Sequence, residues 1–233
     1  MAAAAPAALG KPPAAGLARA GRLSADAWML ARGGDGAAAL AAGDGLLGGS
    51  QVGTRILYRV AGEASAPLSL SARLSSPIRR NGAEAAVGVE WQPVAGLPVR
   101  VLAERRQRVA GTGRSAFALL AHGGLSDLPA AAGFRLDAYA QAGVVGARRR
   151  DLFADGGATL VRPLGSAPDG PAVGIGAWGG AQPGAARLDV GPRVTTTIGA
   201  AGVRARVSLD WRFRVAGDAA PGSGPALTVA TGF

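Results

Sequence analysis

The sequence predicts an all-β chain: an antiparallel up-and-down transmembrane β-barrel of about twelve strands. Three observations carry this. Apolar and polar residues alternate over long segments, the mark of strands with one apolar and one polar face. The segments are separated by Gly/Pro/Asp-rich breaks and rarely show helical periodicity, which removes a parallel α/β fold. They are also about twice the ordinary strand length of about 5–6 residues, as a tilted membrane-crossing strand of about 9–11 residues requires.

The strands follow in order. "RLSADAWMLAR" (22–32) alternates weakly. "QVGTRILYRV" (51–60) sets Val52, Ile56, Tyr58 and Val60 against Gln51, Arg55 and Arg59. "LSLSARLS" (68–75) alternates strictly, with Arg73 among the serines. "AEAAVGVEW" (83–91) opposes Val87, Val89 and Trp91 to Glu84 and Glu90. "VRVLAERRQRV" (99–109) opposes Val99, Val101 and Ala103 to Arg100, Glu104, Arg106 and Arg108, with Leu102 and Arg105 breaking the pattern. "SAFALLAHGGL" (115–125) is a poor alternator. "FRLDAYAQAGVV" (134–145) opposes Phe134, Leu136, Ala138 and Ala140 to Arg135, Asp137, Tyr139 and Gln141. "DLFADGGATLV" (151–161) and "AVGIGAWGG" (172–180) carry small residues on one parity. "ARLDVGPRVTTTI" (186–198) sets Leu188, Val190, Val194 and Ile198 against Arg187, Asp189, Arg193 and Thr195. "VRARVSLDWRFRV" (203–215) opposes seven apolar residues to Arg204, Arg206, Ser208, Asp210, Arg212 and Arg214, and "PALTVATGF" (225–233) closes the chain.

A soluble sandwich would bury a strongly hydrophobic core with mostly short strands. Here the polar parity holds charged residues in nearly every strand and no second apolar face is evident, so a closed barrel with a polar interior is expected. An arginine on the lipid face at midplane costs about 2–4 kcal/mol, which directs the charged parity inward. Trp211, Phe213, Trp91, Tyr58 and Phe134 are then candidates for the interfacial aromatic girdles. The chain divides into an Ala/Pro-rich flexible segment, 1–21, and a barrel domain, 22–233.

The inward set defines the candidate site: Arg55, Arg59, Arg73, Arg100, Arg106, Arg108, Arg135, Arg187, Arg193, Arg204, Arg206, Arg212 and Arg214. Against these thirteen arginines stand six inward acids, Glu84, Glu90, Glu104, Asp137, Asp189 and Asp210. Ion pairing would absorb about half the arginines, and the excess would leave a lumen that attracts anions. Twelve strands fall between filled eight-stranded barrels and water-filled sixteen-stranded ones, so a narrow pore and a plugged one are both open.

Composition narrows the alternatives. The 233 residues contain no cysteine, which removes disulfides and thiolate metal sites. The net charge of +10 would suit nucleic acid, but the arginines are spaced along strands instead of clustered, so no nucleic-acid partner is expected. No segment qualifies as a transmembrane helix. Residues 1–21 lack a basic stretch followed by an apolar core, so no secretory signal is expected within the chain.

The final "TVATGF", ending in Phe233, resembles the C-terminal signature by which bacterial outer-membrane barrels meet the barrel-assembly machinery. Over 96–233, "LPVRVLAERRQRV", "GRSAFALLAHGG", "FRLDAYAQAGVVG", "RDLFADGGATLVRPL", "DVGPRV" and "DWRFRVAGDAAPGSGPALTV" resemble the C-terminal barrel of the phage-adsorption protein A family, related to exopolysaccharide and cellulose secretion subunits. That resemblance implies a Gram-negative outer-membrane export or surface-receptor barrel, with polysaccharide or phage as partner and lipopolysaccharide around it. The chain departs from that family in showing neither a signal peptide nor helical repeats, which leaves a truncated gene product and a start upstream of Met1 both open.

No catalysis is expected. His122 is the sole histidine; with Ser115 or Ser126 and an aspartate it could form a triad, but no G-x-S-x-G elbow accompanies it. Asp35 and Asp44 lack the spacing of a calcium loop. No cofactor or metal is expected. "GARRRD" (146–151) reads as a solvated basic loop, with lipopolysaccharide phosphate as the functional alternative. The leading function is a narrow pore or export channel for an anionic solute or exopolysaccharide. The alternatives are a non-conducting structural or phage-receptor barrel and a soluble β-rich ligand carrier.

Overall fold

The computed structural model describes residues 21–33, 47, 49–63, 65–78, 81–111, 115–147, 150–167, 169–200 and 202–232. The Ala/Pro-rich segment, Asp35, Asp44, Arg148, Arg149 and Phe233 lie outside the described residues.

Twelve strands form one closed antiparallel barrel. They are β1 (Leu23–Arg32), β2 (Gln51–Ala61), β3 (Leu68–Pro77), β4 (Gly82–Trp91), β5 (Val99–Gly111), β6 (Ala116–Pro129), β7 (Arg135–Val145), β8 (Asp151–Pro163), β9 (Ala172–Gln182), β10 (Ala185–Ala200), β11 (Val203–Gly217) and β12 (Gly224–Gly232). Each strand pairs with its chain neighbours, and β1 pairs with β12 from Asp26↔Gly232 to Arg32↔Ala226. Closure leaves no edge, so every strand has a partner on both sides, the condition for β-structure in hydrocarbon. The alternation thus locates the strands to within a few residues, including the poor alternator 115–125, which continues to Pro129.

The alternation also sorts the two faces. On β11, Ser208, Asp210 and Arg212 are buried in the lumen while Leu209, Trp211 and Phe213 are exposed outside. On β3, Ser69, Ser71, Arg73 and Ser75 point in, and Leu70 and Leu74 point out. From Val203 to Val215 the outward face of β11 runs roughly 41 Å along the strand, or roughly 31 Å along the barrel axis at a tilt of about 40°. That height matches a bilayer core of about 30 Å.

β1 begins and β12 ends at one end of the barrel, here the termini end; the connections β1–β2, β3–β4, β5–β6, β7–β8, β9–β10 and β11–β12 lie at the other, the loop end. Tyr58 and Trp91 form an outward aromatic set toward the termini end, and Phe117, Trp211 and Phe213 one toward the loop end. Arg105 breaks the outward apolar face of β5, and its guanidinium stacks over the Phe117 ring at 4.8 Å.

One expectation is corrected. The lumen is not uniformly polar: Trp28, Leu57, Leu102, Leu120, Phe153, Val161 and Trp178 are buried inside it. Leu102 pairs with Leu120 across β5 and β6, and the two form an apolar cluster with Phe153. Room for these side chains comes from glycine. Gly143 lies opposite both Leu120 and Phe153, and a Cβ there would come within 2.6 Å of the Leu120 Cβ. A Cβ on Gly53 would come within 2.4 Å of the Trp28 ring that crosses it.

Candidate functional site

Among the described residues most charged side chains of the lumen gather into four clusters, each built around carboxylates and drawing its cations from more than one strand. Toward the termini end, Glu90 of β4 pairs with Arg55 of β2 and with Arg100 of β5 at 3.0 Å, and His122 Nε2 of β6 lies 2.9 Å from its Oε2. Next to it, Arg73 of β3 pairs with Glu84 at 2.7 Å and Glu104 at 3.2 Å, and Arg106 pairs with Glu104 at 2.6 Å. Across the barrel, Asp189 of β10 takes Arg187 at 2.6 Å and Arg32 of β1 at 2.9 Å. Asp210 of β11 takes Arg193 at 2.6 Å and Arg212 at 3.1 Å. The spacing of two explains the last two clusters. Arg187 and Asp189, and Asp210 and Arg212, are same-face neighbours on one strand, and the next strand supplies Arg193 opposite Asp210.

Buried charge is tolerated only when paired and hydrogen-bonded, and these carboxylates satisfy that demand. Asp210 accepts a bidentate pair from Arg193 Nε and NH2 and a third bond from Arg212. Asp189 accepts from Arg187 Nε and NH2 and from Arg32 NH1. Trp178 supplies a second kind of partner: Arg212 lies over its ring at 4.2 Å and Arg193 at 5.2 Å. Such stacking is worth about 2 kcal/mol where the cation is desolvated.

The loop end is capped on the β1/β10/β11 side. Leu47 packs with Ala185 and Ala219, its N–H donates to the Ala220 carbonyl, and its own carbonyl accepts from Arg187 NH1. Arg32 NH2 donates to the Gly222 carbonyl. The Asp189 cluster therefore ties the β1–β2 and β11–β12 connections down onto the barrel. Below this cap lies a cavity of about 140 Å³, walled by Trp28, Tyr139, Asp155, Trp178, Arg193, Arg212 and Thr228 among others.

The predicted arginines fall into three groups. Arg55, Arg106, Arg187 and Arg212 are buried in the lumen, as is Arg73, while Arg100, Arg193 and Arg206 are partly buried there, Arg206 bonding Asp137 at 3.0 Å. Arg59 is half-buried near the termini end. Arg135, Arg204, Arg108 and Arg214 lie toward the ends. Toward the termini end Arg135 pairs with Asp127 near the end of β6 and Arg204 with Asp169 in the β8–β9 connection, and Arg214 donates to the Asp218 and Ala219 carbonyls at the loop end. The central guanidinium groups are held in separate clusters with their carboxylates.

The sequence reading missed Arg32, Trp28, Asp155 and Trp178. The first two belong to the strand with the weakest alternation. Trp178 shares a parity with Gly174, Gly176 and Gly180, and only its cross-strand neighbour Gly157 shows why a ring fits there. The hydrolase constellation is not assembled: His122 bonds Glu90, while Ser115 Oγ accepts from the Arg108 N–H. Among the described residues no group of three or more acidic or histidine side chains could hold a metal ion.

No family model and no curated protein matches the chain. Among solved structures the barrel is similar to LpxR from Salmonella typhimurium, at 13% identity and a TM-score of 0.41, covering 90% of this chain and 99% of that one. The expectation that the chain is not an enzyme is withdrawn beside this comparison. At that score the likeness transfers no activity and no site.

Proposed function

We propose that the protein is a bacterial outer-membrane β-barrel whose lumen is closed to free passage, a membrane-anchored scaffold that presents its loop end. The observation that supports this reading is the burial of inward side chains around the whole barrel waist. Trp28, Arg55, Arg73, Glu90, Leu102, Glu104, Leu120, Phe153, Trp178, Asp189 and Asp210 are all buried, whereas the wall of a water-filled channel would be wet. The apolar outer face and the two aromatic sets support insertion in a bilayer. The longer β1–β2 connection at the loop end supports an extracellular loop end and periplasmic termini.

Planar-bilayer recording of the folded full chain tests the reading. Silent membranes in which insertion is verified by heat-modifiable gel mobility are expected; steady conductance would refute it. A second reading, a narrow anion path, is favoured by the two-to-one ratio of arginine to aspartate at Asp189 and Asp210. It would appear as an anion-selective reversal potential in a salt gradient. In either case lipopolysaccharide surrounds the loop end, and the C-terminal strand engages the barrel-assembly machinery. Deleting Phe233 should then lower the yield of inserted barrel. The resemblance to phage-adsorption protein A barrels would add polysaccharide export or phage attachment, and a closed lumen favours the second of these.

A further inference from the structure

The lumen cavity has a composition that a void filled only by water does not require. Five guanidinium groups, Arg32, Arg187, Arg193, Arg206 and Arg212, line it. Four carboxylates oppose them: Asp137, Asp155 and Asp189 in the wall, and Asp210 behind Arg193 and Arg212. Asp155 is engaged by the neutral Gln141 amide at 2.9 Å and neutralises no arginine by contact. Positive charge is therefore in excess where the dielectric is low and Coulomb forces are long-ranged.

Donors are in excess as well. Arg32 Nε, Arg212 Nε and Trp28 Nε1 are buried without a hydrogen-bond partner, as is the Thr228 hydroxyl, and all four side chains line this one cavity. Three of these groups can only donate, so a partner that satisfied them would be an acceptor. Among the described residues the rest of the lumen offers little comparable shortage: the one other buried side-chain polar atom without a hydrogen bond is Arg55 NH2, which is ion-paired with Glu90.

The cavity also has an entrance. Leu47 and the Asp189 cluster close it at the loop end. Toward the termini end its wall runs to the partly exposed pair Arg206–Asp137. A volume of about 140 Å³ holds several waters or one small polyatomic ion.

We infer that this cavity is a binding site for a small oxyanion, admitted from the termini end and held by the guanidinium groups of Arg193, Arg206 and Arg212 beside the Trp178 ring. Guanidinium forks match tetrahedral and planar oxyanions. The inference rests on the closed-lumen reading only in that the loop end is capped.

Inorganic phosphate is the probe. Full-length barrel in detergent is titrated with phosphate by calorimetry, and its thermal unfolding is followed against phosphate and against chloride at matched ionic strength. The expected result is one saturable site per barrel, with an unfolding midpoint that rises with phosphate and levels off. Ala230→Leu fills the cavity with the charges unchanged and should abolish the saturable response. Thr228→Val, nearly isosteric, should weaken it several-fold and serves if Ala230→Leu does not fold. Arg108→Gln, exposed at the loop end, should leave it intact. Equal responses to phosphate and chloride, or an undiminished response in both cavity variants, would overturn the inference and leave water as the occupant. Bilayer recording reports separately on the closed lumen: phosphate binding in a conducting barrel would keep the site and remove the scaffold reading.

Discussion

In the β2–β6 part of the barrel the inward positions carry Arg55, Arg73, Leu102, Glu104, Arg106 and Leu120, and the space between them is filled. On β8 and β9 the inward positions carry Gly157, Gly174, Gly176 and Gly180 around Trp178, and a cavity remains. Both regions bury arginine against fewer carboxylates, so charge does not distinguish them. Side-chain volume does: one aromatic ring on a bed of glycines cannot fill what two leucines and four long charged side chains fill. The first region behaves as a core, with every group fixed by its neighbours. The second has the walls of a site.

The largest effect should come from breaking a carboxylate that holds two cations. Asp210→Asn leaves Arg193 and Arg212 buried with the Trp178 ring as their main remaining partner, and a loss of about 3–5 kcal/mol is expected in urea unfolding from lipid vesicles. Leu102→Ala opens a hole in the filled region, where Leu102 is only 1% exposed, and should cost about 2–5 kcal/mol. Leu209→Arg puts a charge on the outer face, where Leu209 is 55% exposed, and should cost about 2–4 kcal/mol near midplane by the same measurement. Ala230→Leu adds volume to the cavity region and should change stability by under about 1 kcal/mol, because the added methyl groups enter existing space. An Ala230→Leu penalty as large as that of Leu102→Ala would erase the distinction between the two regions.

The period of two made the barrel wall legible in the sequence, since each strand declares its own faces. Lumen packing was less legible because it depends on which residues meet across strands. Arg193 faces Asp210 through a register that runs unbroken from Ala200↔Val203 at the start of the β10–β11 pairing, and nothing local to either residue announces it. Arg32 sits in a strand where Ala25, Ala27 and Ala31 blur the contrast between faces. Leu102 and Leu120 looked like faults in alternation when each strand was read alone; their pairing across β5 and β6 makes them an apolar plug.

The four tryptophans divide evenly across the barrel wall. Trp91 and Trp211 are 51% and 47% exposed on the outer face, while Trp28 and Trp178 are 6% and 7% exposed within. The wall thus carries its own optical label of inside and outside. Brominated acyl chains, which quench indole emission on contact, should remove the signal of the outer pair and spare the inner pair. Trp178, stacked under two guanidinium groups, becomes a built-in fluorescent reporter of whatever enters the cavity beside it.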